Sequence, residues 1–189
     1  VFDQGAKLVG QAIASGALYQ TATWQETTQQ VITQEQALHF IGLLSDGNIH
    51  SHIDHLIAMI RKANQEGVIS VFVHVLLDGR DVSRTSALEY VEKLESCLAQ
   101  IHGQDGRNYR IASGGGRMTT TMDRYNSDWD MVKRGWQVHI LGQGRGFQST
   151  LEAVQTFRDE TPNIADQDLS SFVIEQAGKA VGPIQDGDG

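Results

Sequence analysis

Cysteine occurs once in the 189 residues and proline twice. The single thiol, Cys97, cannot close an intrachain disulfide, and its apolar-spaced position in an expected helix assigns it to packing in a reducing compartment. No apolar run approaches the roughly 20 residues that span a bilayer. The N-terminus also lacks the charged, apolar and small-residue succession of a signal peptide, so the expected location is the cytoplasm. Positive charge is scarce, with 15 Lys and Arg against 23 Asp and Glu and a net charge of −8. That balance excludes a nucleic-acid or membrane-surface partner, because phosphate-rich polymers select a net basic face. A small anion remains compatible where arginines gather locally. Internal repeats, low-complexity tracts and strong linkers are also missing, although residues 21–36 are polar enough to be mobile. What is present, 40% hydrophobic and 20% charged residues, suffices for one compact domain without disulfides or metals.

Apolar positions alternate between two periodicities along the chain. Ala6, Val9 and Ile13 recur at helical spacing up to Ser15-Gly16. Residues 39–44 form a short apolar run that ends in Ser45-Asp46-Gly47-Asn48, the pattern of a buried strand entering a loop. Ile53, Leu56, Ile57 and Ile60 then stripe a helix with Ser51 as its expected N-cap and Gly67 at its end. The succession repeats: residues 68–77 as a strand, Asp78-Gly79-Arg80-Asp81 as a loop, and Leu88, Val91, Leu94, Leu98 and Ile101 on a helix face. Residues 109–112 read as a third strand, followed by the loop Ser113-Gly114-Gly115-Gly116-Arg117 and a helix striped by Trp129, Val132 and Trp136. Residues 137–141 read as a fourth strand, Gly142 to Phe147 as a turn leading to a helix from 149 to about 158, and residues 171–175 and 180–184 as a closing strand pair. This order predicts an α/β fold, a mainly parallel doubly wound sheet with helices on both faces. Such sheets bind ligands outside the carboxyl ends of their strands, which would gather Asp46 and His50, Arg80 and Asp81, and Arg117 and Arg124 at one edge.

Three constellations carry chemistry. His50, His52 and His55 with Asp46 could suggest zinc and a metal hydrolase, but the complementary ligands expected elsewhere are missing; His52 and His55 read more simply as capping or solvent-facing groups. His50 differs, because it sits in the strand-to-helix loop where helix amides and an imidazole can hold an anion together. In Asp78-Gly79-Arg80-Asp81, a guanidinium can bind a carboxylate or phosphate bidentately while Asp81 accepts from hydroxyls or takes a proton; a plain surface turn explains the pattern equally well. Gly114-Gly115-Gly116-Arg117 with Arg124 offers backbone that can approach a ligand and two further guanidiniums. A non-catalytic α/β module that binds a small anion accounts for the same residues.

Taken together, Gly42-Leu43-Leu44-Ser45-Asp46-Gly47-Asn48-Ile49-His50-Ser51-His52, Leu77-Asp78-Gly79-Arg80-Asp81, Ala112 to Arg117 with Met122-Asp123-Arg124, and the closing Gly178 to Ile184 resemble cofactor-independent phosphoglycerate mutases, in the plant and trypanosomatid form. The resemblance implies an isomerase of glycolysis that interconverts 3-phosphoglycerate and 2-phosphoglycerate with two domains. One carries two divalent metals, usually manganese, and a serine nucleophile; the other holds and reorients the glycerate. This chain is similar to the second, so residues 1–189 are expected to be a single, partial transferase domain without metal ligands, partnered by an absent metal-bearing phosphatase domain and inactive alone. The two ends also lack the features of natural termini. By motif position, the resemblance implies substrate contacts at His50, Arg80, Asp81, Arg117 and Arg124, with Asp81 the candidate for proton transfer. Asn48, where many members have Gly, and the Arg117 to Arg124 spacing are the points at which fine geometry would differ.

Overall fold

A computed structural model describes residues 5–122 and 128–189. The helices are α1 (Gly5–Ala14), α2 (Ala22–Thr33), α3 (Ile53–Glu66), α4 (Ala87–Ala99), α5 (Trp129–His139) and α6 (Thr150–Glu160), and the strands are β1 (Ala37–Leu44), β2 (Ser70–Leu77), β3 (Asn108–Gly116), β4 (Arg145–Phe147), β5 (Phe172–Gln176) and β6 (Lys179–Ala180). The sheet runs β1-β2-β3-β5-β4, with β6 paired to β5. β1, β2 and β3 are mutually parallel, while β5 runs antiparallel to β3 and parallel to β4. The fold is therefore α/β with a mostly parallel sheet.

Parallel neighbours need crossovers, and crossovers of one hand put successive helices on the same face. α3 and α4 obey this and pack against each other, and α6 joins α4 on that face. Ile53, Ile57, Ile60, Val91, Leu94, Val154 and Phe157 interlock there with Val71, Val73, Val75 and Leu77 of β2. α5 lies on β3 and β5 across the sheet, where Phe72 and Ala112 form a second, smaller cluster with Ala37 and Val181. Helices thus cover both faces, and β2 lies buried between them. A bulge at Val73/His74 places both Ala112 and Ser113 on the α5 side of β3.

Four expectations are revised. Residues 137–141 are not a strand: α5 continues to His139, because Asp128 caps it through Met131 N and Met131, Gly135 and Val138 bury one helical face. The alternation Gln-Val-His-Ile-Leu imitates a strand only locally. The fourth strand lies instead at β4, inside the segment expected to be a plain turn. The polar stretch at 21–36 contains α2, held by Thr21 as N-cap and by burial of Thr28 and Val31. Ser51 is not the cap of α3; His52 accepts from Asp54 N in that role, while Ser51 Oγ donates to the Leu43 carbonyl at 2.6 Å.

Candidate functional site

The parallel register of β1, β2 and β3 puts Leu44, Leu77 and Gly116 side by side, so the segments that leave these strands meet at one edge. Asp78, 1% exposed, is the hub of that edge. Its Oδ1 accepts from the backbone N–H groups of Gly79, Arg80 and Asp81 at 2.8, 3.0 and 3.2 Å. Its Oδ2 accepts from the buried Ser45 hydroxyl at 2.7 Å, which ties the end of β1 to the end of β2. Burial pushes the Asp78 carboxyl upward, but the backbone donors and the Ser45 hydroxyl outweigh it and hold the group down at about 2.

Arg117, buried at the end of β3, completes the knot. Its Nη1 donates to Asp78 Oδ1 at 3.0 Å and to Asp81 Oδ2 at 2.8 Å. One nitrogen of the guanidinium is consumed in this way, and its other donors have no protein partner among the described residues. The first loop is pressed against the second, since a Cβ added to Gly47 would fall 2.8 Å from Asp81 Cβ. Tyr90 of α4 donates to Asp46 at 2.6 Å; burial and this carboxylate push its phenol up to about 12. Asn48 adopts φ 57°, the left-handed conformation that glycine would take, so the loop keeps that path with a side chain in place.

The other expected site residues are placed less tightly. Arg80 is exposed and makes no ion pair among the described residues. His50 lines a groove of about 470 Å³ between α1, β1 and the start of α3, together with His52 and His55. Arg124 lies outside the described residues. The two divalent ions that the family resemblance implies for the partner domain find no counterpart here: among the described residues no group of three or more His, Cys, Asp or Glu side chains could hold a metal ion. The paired carboxylates Asp78 and Asp81 are both engaged by Arg117.

Two parts of this arrangement escape sequence reasoning. Asp78 and Ser45 read as ordinary turn residues; the signal that could have found Asp78 is the tendency of an Asp at a turn to accept from the backbone N–H groups that follow it. The glycine triplet was expected to admit a ligand, yet Gly114, Gly115 and Gly116 belong to β3. A Cβ at Gly114 would sit 2.7 Å from the Phe172 ring and from Val75, and Cβ atoms at Gly115 and Gly116 would collide with the Thr120 hydroxyl and the Gln167 carbonyl. The glycines serve close packing beneath the site.

The chain as a whole is similar to known proteins. The family model described as BPG-independent PGAM N-terminus (iPGM_N) matches residues 9–189. A probable 2,3-bisphosphoglycerate-independent phosphoglycerate mutase of Leptospira interrogans is 54% identical over 188 residues, covering 100% of this chain and 34% of the relative. The corresponding mutase of Prunus dulcis is 46% identical over 190 residues, covering 100% of this chain and 38% of its own length. A crystal structure of Leishmania mexicana phosphoglycerate mutase at low cobalt concentration superposes with a TM-score of 0.94 at 42% identity, over 98% of this chain and 34% of that one. The chain spans about a third of the length of these relatives. With the family model matching nearly its whole length, this chain belongs to the family of N-terminal segments of BPG-independent phosphoglycerate mutases.

Proposed function

We propose that this chain is the substrate-holding part of a cytoplasmic phosphoglycerate mutase, an isomerase that interconverts 3-phosphoglycerate and 2-phosphoglycerate in glycolysis. One observation carries the reading: the ends of three parallel strands meet around Arg117, whose position is set by two carboxylates while its remaining donors have no partner among the described residues. A guanidinium fixed by two carboxylates suits a phosphate or carboxylate, and the exposed Arg80 of the loop after β2 supplies a second cation. Asp81, held by Arg117 at 2.8 Å, is placed to accept from glycerate hydroxyls and is the candidate for taking and returning their proton. His50 and Arg124 complete the proposed contacts. The phosphoryl chemistry belongs in this reading to a partner domain carrying two divalent metals, usually manganese.

The test is a chimera in which residues 1–189 replace the matching third of the Leptospira interrogans relative. Replacement of Arg80 or Asp81 by Ala is expected to lower mutase kcat/KM by at least about a hundredfold, the loss of a charged contact in a desolvated site. Full activity in both variants overturns the site assignment.

A further inference from the structure

Behind the sheet edge, on the α5 face, an unbroken line of hydrogen bonds crosses three strands. Asp188 Oδ2 meets His39 Nε2 at 3.0 Å, and His39 Nδ1 meets His74 Nε2 at 2.9 Å. His74 Nδ1 meets Ser113 Oγ at 2.7 Å, and the same oxygen meets His139 Nδ1 at 2.7 Å. His139 Nε2 then meets Thr121 Oγ1 at 3.0 Å. His74 and Ser113 are 0% and 1% exposed and His139 is 3% exposed, so none can turn to water for a replacement partner.

With His39 neutral, as its burial favours, one carboxylate sets the direction of the whole line. Asp188 accepts, so His39 donates from Nε2 and offers Nδ1 as acceptor; His74 donates from Nε2 and accepts at Nδ1 from the Ser113 hydroxyl. Ser113 in turn accepts from His139 Nδ1–H, which leaves His139 Nε2 bare as an acceptor for the Thr121 hydroxyl. Burial lowers the proton affinity of all three rings, so they are read as neutral, and each tautomer then follows from its neighbour. The line ends on a residue that needs holding: Thr121 is β-branched and sits at φ 72°, a conformation unfavourable for such a side chain. Its N–H donates to the Met131 carbonyl of α5 at 3.0 Å. Thr121 lies in the segment that leaves Arg117 and leads into Arg124.

We propose that His139, oriented through Ser113 and His74 by Asp188, is a positioning residue that fixes Thr121, three residues before the proposed contact Arg124 in the sequence, and acts on that contact through it. The inference rests on the reading of Arg124 as a substrate contact. The bulge at Val73/His74 belongs to the same device, because it turns Ser113 to the α5 side where it can join His74 to His139.

Two measurements test it. In the chain itself, long-range proton–nitrogen NMR of the imidazoles at neutral pH is expected to show His139 as the neutral Nδ1–H tautomer; an Nε2–H or charged ring overturns the proposal whatever Arg124 does. In the chimera, Thr121→Val, which keeps the shape and removes the hydroxyl, is expected to lower kcat/KM about tenfold, and Thr121→Ser to restore it. With Arg124→Ala already present, Thr121→Val is expected to cause no further loss, because both changes act through one contact. Independent, multiplying losses overturn the proposal. If Arg124→Ala alone changes nothing, the contact reading of Arg124 fails, while the tautomer and the amide exchange rate at position 121, expected to rise in Thr121→Val, still decide the positioning role.

Discussion

Asp78 shows how much one side chain can organise. Its two oxygens gather three backbone amides, a hydroxyl and a guanidinium, so it sets the loop after β2, the end of β1 and the side chain at the end of β3 at once. Asp78→Asn keeps the shape but removes the charge that compensates buried Arg117 and replaces one acceptor with a donor facing the Ser45 hydroxyl. A loss of roughly 2–4 kcal/mol in urea unfolding is expected, and a change below about 0.5 kcal/mol, the range of surface substitutions, would contradict this role. The residue types of the site were legible in sequence: Arg80, Asp81 and Arg117 stand at strand ends where a parallel sheet presents its ligands. The division of labour was not. Which of the two carboxylates in Asp78-Gly79-Arg80-Asp81 is buried depends on the pitch of a turn, and no periodicity encodes that.

At the level of elements, the strands and helices from β1 to α4 followed their apolar spacing, while α2 hid in a polar stretch, and the later misreadings cluster where local pattern and tertiary contact diverge. A glycine triplet after a short apolar run looks like a loop, yet β3 runs through it because Phe172, Thr120 and the Gln167 backbone leave no room for side chains. α5 ends in a sequence that alternates like a strand, and the Asp128 cap with the burial of Met131, Gly135 and Val138 keeps it helical. Gly116→Ala is accordingly expected to cost about 3 kcal/mol through overpacking, measurable as a lower thermal midpoint. Gly106→Ala is the informative control, since its added Cβ meets nothing within 4 Å and only the φ of 77° opposes it. A loss at Gly116, whose φ is ordinary for a strand, no larger than the loss at Gly106 would contradict the crowding.

For the molecule as a whole, the histidine line makes stability depend on pH. Burial, with the neighbouring His139 and His39 rings, pushes His74 down to about 2, and burial pushes His139 down to about 4. Both rings bind fewer protons folded than unfolded, so acid favours unfolding. Their contribution is complete above about pH 6.5, the ordinary imidazole value. It declines by roughly 1.4 kcal/mol per pH unit for each ring as the pH falls, to about pH 4 for His139 and beyond for His74. Urea unfolding between pH 7 and pH 5 is expected to show this slope before the ordinary carboxylate range begins, and a flat profile there would mean that the rings are not buried neutral.

The charge of the molecule fits the same picture. A chain of net charge −8 can recognise an anion only where the fold concentrates its few cations, and the meeting of three strand ends around Arg117 is such a place. Proton–nitrogen spectra of the chain titrated with 3-phosphoglycerate test this most directly. The account predicts shifts centred on the amides of Gly47, Gly79, Arg80, Asp81, Arg117 and Met118. Shifts centred instead on α2, α6 or the β5-β6 pair, or no shifts anywhere at tens of millimolar ligand, would contradict it.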